Sequence, residues 1–153
     1  MNVQPKNHVI LKETPDKGIG VFAAKPFEKG ETVLVGRGIQ VLSTRTLHSI
    51  QTNFERHVLL DEPAIFLNHC CSPNVGVRNN SEGGYDFVSL VKIAEGDEIV
   101  YDYETTETAF AGQFQCQCGS PNCRKQLRGF FWLPREVRER YGDFIADYLK
   151  SNP

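Results

Sequence analysis

Five cysteines are unevenly placed in a chain of 153 residues. Three form the run Cys116-x-Cys118-x4-Cys123 around Gly119, Ser120, Pro121 and Asn122, and two are neighbours, Cys70 and Cys71. A short loop containing Gly and Pro can bend back on itself and wrap three thiolates around one ion, and a closed tetrahedral zinc site then needs one further ligand, from Cys70 or Cys71. Disulfides or ordinary buried thiols are the competing explanations. An odd count, and neighbours too close for ordinary bridging, weigh against disulfides. Because all the available ligands are thiolates, no position stays open for water, and the expected role of the ion is structural.

Three other segments carry residues able to do chemistry: Lys17-Gly18-Ile19-Gly20-Val21-Phe22-Ala23, Phe66-Leu67-Asn68-His69-Cys70-Cys71-Ser72-Pro73-Asn74, and Gly96-Asp97-Glu98-Ile99-Val100-Tyr101-Asp102-Tyr103. Each has a plain explanation when taken singly. Gly-x-Gly is a common turn, Asn-His can be a satisfied polar pair, and Tyr-Asp-Tyr can be packed aromatic surface.

The elements that must position these groups read as mainly β. Gly and Pro punctuate the chain at short intervals, and the segments between are rich in Val, Ile and Phe. Val9–Leu11, Val21–Ala23, Thr32–Val35 and Ile39–Leu42 are expected strands, with a turn at Pro26–Gly30. Asp86–Ile93 and Glu98–Tyr101, joined through Glu95-Gly96-Asp97, are expected to form a hairpin. One helix is expected from about Pro134 to Leu149, where Val137, Tyr141, Phe144, Ile145, Tyr148 and Leu149 recur at helical spacing; Gly142 weakens it by about 1 kcal/mol relative to Ala.

Taken together and in order, the segments resemble the SET-domain family of protein lysine methyltransferases: an N-terminal G-x-G, an N-H-x-C-x-P-N loop, a G-x-E-x-x-x-D-Y strand, and the C-x-C-x4-C of a post-SET zinc motif. The likeness covers about residues 10 to 125. It implies a β-clip-like SET fold of small curved β-sheets with a pseudoknot, short helices and a C-terminal helix. The implied division is a SET domain over residues 1–112, a post-SET zinc-binding segment over 113–131 and a C-terminal helix within 132–153, packed on the same domain. Carried over by position, Gly18, Ile19 and Gly20 offer backbone to the methionine part of S-adenosylmethionine, since glycine lets a ligand approach the main chain. Asn68 and His69 hold its amino group and adenine, and Leu127 or Phe130 lies against the adenine. Cys71 becomes the fourth ligand of one structural zinc ion, beside Cys116, Cys118 and Cys123. Tyr103 is the catalytic tyrosine, also touching the cofactor, and Tyr101 limits the number of methyl groups added, implying mono- or dimethylation of a lysine amine. The product from the cofactor is S-adenosylhomocysteine.

The chain departs from the family where many members have Tyr-x-Gly-Glu; here the stretch is Leu34-Val35-Gly36-Arg37. Ser often fills the place of Cys70, and no cysteine-rich pre-SET segment stands ahead of the motifs. Two rival readings keep the same fold: a catalytically silent peptide-binding module, and a methyltransferase acting on a small amine or a natural-product peptide. A net charge of −2 supplies no long-range positive field, so a protein or peptide presenting a lysine is the expected partner, without direct nucleic-acid or membrane binding. With 40% hydrophobic and 24% charged residues the composition is that of an ordinary soluble protein. The opening Met1–His8 lacks a basic region followed by an apolar run, and the expected location is intracellular: cytoplasmic, or nuclear in a eukaryote.

Overall fold

In the computed structural model, which describes residues 8–151, the Val- and Ile-rich segments become short strands. The opening stretch read for a targeting signal lies, apart from His8, outside the described residues. Strands β1 (Val9–Glu13) and β2 (Ile19–Ala23) pair antiparallel with Leu11 opposite Val21. Val9, Leu11, Val21 and Ala23 are buried, the two-residue period of a strand with one covered face. Their connecting turn closes when the Thr14 N–H and hydroxyl both donate to the Gly18 carbonyl, at 2.7 and 2.8 Å. Gly18 sits there at φ +72°, a conformation that a Cβ disfavours.

Four further strands follow: β3 (Thr32–Gly36), β4 (Gly38–Leu42), β5 (Ile50–Asn53) and β6 (Arg56–Leu60), the last three forming a sheet in the order β4-β6-β5. After β7 (Asn68–His69) come β8 (Val75–Asn79) and β9 (Tyr85–Ser89), which join β3 in the order β3-β9-β8. Strand β10 (Glu98–Tyr101) pairs antiparallel with β2 and parallel with β7, while β11 (Phe114–Gln115) and β12 (Gln126–Leu127) form a small antiparallel ladder. Val21, Leu34, Phe87, Ile93 and Ile99 are fully buried and belong to one apolar core shared by these sheets.

Residues 68–74 wrap around β10. The Cys70 N–H donates to the Tyr101 carbonyl at 3.1 Å, the Asn74 N–H to the Val100 carbonyl at 3.2 Å, the Asn74 side chain to the Glu98 carbonyl at 2.8 Å, and the Val100 N–H to Asn74 Oδ1 at 2.9 Å. Two segments some thirty residues apart are thereby laced together by two backbone bonds and two made by the Asn74 side chain, and breaking them would leave part-buried polar groups unsatisfied.

Two expectations are corrected. The segment 86–93 does not form a hairpin with 98–101, although the 94–97 turn is present, closed by Asp97 N–H to Ala94 O at 3.1 Å. Strand β9 has β3 on one edge and β8 on the other, so no edge remains for β10; Ile93 instead bridges to Phe27. The expected helix over 134–149 is two short ones, α1 (Arg135–Tyr141) and α2 (Asp147–Lys150), separated at Gly142, whose φ is +56°. A straight helix cannot satisfy both ends: Tyr141 donates to Asp102 Oδ2 at 2.6 Å, Tyr148 to the Thr106 carbonyl, and the Ala146 N–H to the Thr105 carbonyl at 3.0 Å. The break lets Phe144 cover Gly76, where an added Cβ would meet Phe144 Cβ at 2.6 Å. Gly76→Ala is therefore expected to overpack this contact and lower the unfolding free energy by about 1–3 kcal/mol, measured as a reduced urea midpoint.

Candidate active site

The Gly18 turn, β7 and β11 border an open cleft of about 570 Å³, lined by Lys17, Gly18, Asn68, His69, Tyr103 and Phe114 among others. That volume lies in the range of small-molecule sites. Asn68 closes its floor: the side-chain amide donates to the Ile19 carbonyl at 3.1 Å and to Glu98 Oε2 at 3.0 Å. Glu98 is held from the other side by Lys17 Nζ at 2.7 Å. Gly20 sits against this arrangement, since a Cβ there would come within 2.7 Å of Glu98 Oε2 and 3.1 Å of Asn68 Nδ2. Gly18 and Ile19 line the cleft, while Gly20 supports it from behind.

His69 is buried and neutral. Burial, aided by the positive charges of Arg124 and Lys17, lowers its pKa to about 3, so its 3.6 Å approach to Asp102 Oδ1 is not an ion pair. Its Nδ1 accepts from the Tyr103 N–H at 3.0 Å, which assigns the ring proton to Nε2, 3.3 Å from Cys71 Sγ. Both ring nitrogens thus have protein partners, and contact with a ligand falls to the ring edge and the main chain.

A narrower cavity of about 80 Å³ opens beside the cleft, lined by Ile50, Ala64, Tyr101, Glu107 and Phe110 among others. Leu67, Tyr103 and Phe114 line both spaces. The Tyr103 hydroxyl donates to the Leu67 carbonyl at 2.6 Å, leaving its oxygen lone pairs as acceptors at the junction. Burial first, then the charges of Glu107 and Glu98, pushes the Tyr103 phenol well above its ordinary value, so it stays protonated at any physiological pH. Tyr101 stands behind it with ring centroids 4.9 Å apart and is likewise pushed up by burial.

Cys71, Cys116, Cys118 and Cys123 converge, with all four Sγ atoms within 4.8 Å of one another. Cys71 and Cys116 Sγ lie 3.8 Å apart, far beyond a disulfide bond and close to the edge of about 3.8 Å that a tetrahedron with metal–sulfur bonds of about 2.3 Å requires. Cys70 stays outside the group; its sulfur accepts from the Ser72 N–H at 3.4 Å. Burial pushes the Cys71 thiol up to about 12, so a nearby cation is what would make a thiolate there affordable.

Leu127 lies under the cysteine loop. It is 2% exposed and packs against Cys71 and Cys116, on the same face of the ladder as its cross-strand partner Phe114, and is not among the residues lining the cleft. Phe130 lies in the main core. The aromatic wall of the cleft is Phe114, edge-on to Tyr103 at 5.5 Å and to His69 at 5.9 Å. Its place two residues before Cys116 was the available signal. Asp102 and Arg124 were also missed: Arg124 Nη2 lies 2.7 Å from both Asp102 oxygens, and Arg124 Nε 2.8 Å from Glu104 Oε1.

A family description, SET domain, matches residues 18–104. Among curated relatives, human "Histone-lysine N-methyltransferase 2D" is 29% identical over 141 residues, covering 80% of this chain and 2% of that protein. "Histone-lysine N-methyltransferase trr" of Drosophila melanogaster is 27% identical over 148 residues, covering 83% of this chain and 6% of that protein. The chain therefore spans only a few per cent of these relatives' lengths. Among solved structures, the "crystal structure of KRYPTONITE in complex with mCHH DNA, H3(1-15) peptide and SAH" matches with a TM-score of 0.65 at 22% identity, over 78% of this chain and 29% of that one. At that identity the likeness concerns the fold.

Removing the guanidinium would strand a buried carboxylate next to Tyr103. Arg124→Ala is expected to cost about 3–5 kcal/mol in urea unfolding, whereas Arg135→Ala, whose ion pair with Glu139 is exposed, should shift it by less than about 0.5 kcal/mol.

Proposed function

Since the chain belongs to the SET-domain family, whose description matches residues 18–104, we propose that it is an S-adenosylmethionine-dependent protein-lysine N-methyltransferase. The observation that carries this reading is the meeting of two spaces, an open cleft and a narrow cavity, along a shared wall that includes Leu67, Tyr103 and Phe114. The open cleft suits the cofactor, with Gly18 and Ile19 on one wall and Asn68 and His69 on the other. The narrow one suits a lysine side chain from a protein or peptide. The curated relatives are histone-lysine methyltransferases by name, and the KRYPTONITE crystal holds an H3 peptide and SAH; both favour a peptide substrate and an intracellular setting.

The cofactor supplies a methyl group on a cationic sulfur, already electrophilic, so no covalent enzyme intermediate is needed. The chain's task is to present a neutral amine in line. With a reference pKa near 10.4, freeing the lysine amine at pH 7 costs about 4.6 kcal/mol, and enclosure among Tyr101, Tyr103 and Phe110 lowers that cost by disfavouring the charged form. Tyr103 is a poor base, being held protonated. It acts as a fixed hydrogen-bond acceptor that orients the amine, its own proton committed to the Leu67 carbonyl. Tyr101, with its hydroxyl filling space behind, favours mono- or dimethylation. Residues 113–131 form the zinc-binding segment, with Cys71, Cys116, Cys118 and Cys123 as ligands of one structural zinc, residues 1–112 the SET domain, and residues 132–153 the C-terminal element.

Incubation with methyl-labelled S-adenosylmethionine and fractionated lysate, followed by mass spectrometry, is expected to find methyl groups on lysine side chains. Tyr103→Phe should lower the rate by about 100-fold while leaving S-adenosylhomocysteine binding intact. Binding of the cofactor without labelling of any protein would leave a silent peptide-binding module instead. Elemental analysis is expected to give one zinc per chain, and Cys71→Ser to lower zinc retention under chelation, while Cys70→Ser leaves it unchanged.

A further inference from the structure

On the inner wall of the narrow cavity stands an acid, Glu107, only 6% exposed. Its Oε2 accepts from the Gln51 N–H and from the Thr106 hydroxyl, both at 2.8 Å. Its Oε1 receives no hydrogen bond among the described residues, yet it is not one of the polar atoms sealed away from solvent. It is the oxygen left without a protein partner, on a residue that lines the cavity. A buried carboxyl held on one side and open on the other is a prepared site for a cation, because a carboxylate deep in the protein is costly until a charge partner arrives.

The surroundings tune this acid. Burial pushes Glu107 up to about 7, against the Gln51 and Thr106 hydrogen bonds and the charge of Arg45, which pull it down. Tyr85 from β9, Tyr101 and Tyr103 after the β2–β10 ladder, and Tyr148 from α2 all feel its charge and are themselves pushed up by burial, so they face it as neutral phenols. Arg45 is tied to Gln51 Oε1 and Thr108 Oγ1 at 3.2 and 3.3 Å, and His48 lines the same cavity.

We propose that Glu107 receives the substrate's ammonium group within the narrow cavity and takes its proton before methyl transfer. An N–H bond of the ammonium breaks and an O–H bond forms on Oε1, so that ammonium and carboxylate become amine and carboxylic acid. The proton returns to water after the methylated product leaves. This rests on reading the narrow cavity as the lysine channel, and it assigns the missing proton acceptor that protonated Tyr103 cannot be. A general base works best with a pKa near the operating pH, which the environment of Glu107 provides.

The test uses the full chain loaded with S-adenosylhomocysteine, titrated by NMR with n-butylammonium chloride as a lysine side-chain mimic and with pentan-1-ol as its neutral counterpart. In the wild type, butylammonium affinity is expected to rise as pH increases through about 7, where Glu107 ionises, with pentan-1-ol unaffected. Glu107→Gln keeps an acceptor for Gln51 and Thr106 but carries no charge at any pH; it should weaken butylammonium about tenfold or more and leave pentan-1-ol and S-adenosylhomocysteine binding unchanged. Single-turnover methylation of a lysine-bearing peptide should slow by about 100-fold in the variant and lose its rise through neutral pH. Equal butylammonium affinity in the two proteins, or a wild-type affinity flat across neutral pH, overturns the proposal. A clear butylammonium difference without methylation of any lysine supports the cation site and sinks the methyltransferase reading instead.

Discussion

A single buried charge organises the molecule. Asp102 is 1% exposed, and a carboxylate in that position is tolerable only when fully paired. Its partners come from three separate stretches: Arg124 directly after the last cysteine of the loop, Tyr141 at the end of α1, and the Glu104 N–H on its own turn. Glu104 repeats the pattern, accepting from Arg124 Nε and from the N–H groups of Arg128 and Gly129. The neighbour of both acids is Tyr103. Its position is thus a consequence of a charge network whose members are scattered over some forty residues.

Around this network the candidate site uses burial to keep its groups neutral. His69 remains uncharged down to about pH 3, Tyr103 and Tyr101 remain protonated, and Lys17 and Glu98 offset each other at 2.7 Å. The cationic sulfur and amine proposed for this site would be poorly served by fixed positive charges on its walls. The neutral ring of His69 also links the two halves, accepting from the Tyr103 backbone on one nitrogen and facing Cys71 with the other. Folding of the cysteine loop and placement of the tyrosine are mechanically joined there.

Much of this was legible in the residues. Strand segments at 9–11, 21–23, 32–35 and 39–42 follow from short runs rich in Val, Ile and Phe between Gly and Pro, a signal that depends only on neighbours in the chain. The gathering of Cys71 with Cys116, Cys118 and Cys123 follows from thiol spacing plus the family motif. The 86–101 hairpin and the single terminal helix were misread for a shared reason: local pattern reports what a segment can become, while competition for partners decides what it does. Strand β9 had both edges taken, and Gly142 yielded where Asp102, Thr106 and Gly76 pulled the chain in three directions.

Residue types and their order were enough to name the chemistry: thiols able to close around an ion, an asparagine-histidine loop, a tyrosine pair. They could not say that Leu127 and its cross-strand partner Phe114 pack together on the cysteine group, with Phe114 also reaching the cleft, nor that Glu107 lines the narrow cavity. Those outcomes depend on which side of a strand or turn meets a neighbour distant in sequence. Burial, and with it the protonation state of each acid, phenol and imidazole, exists only once the sheets have closed around them.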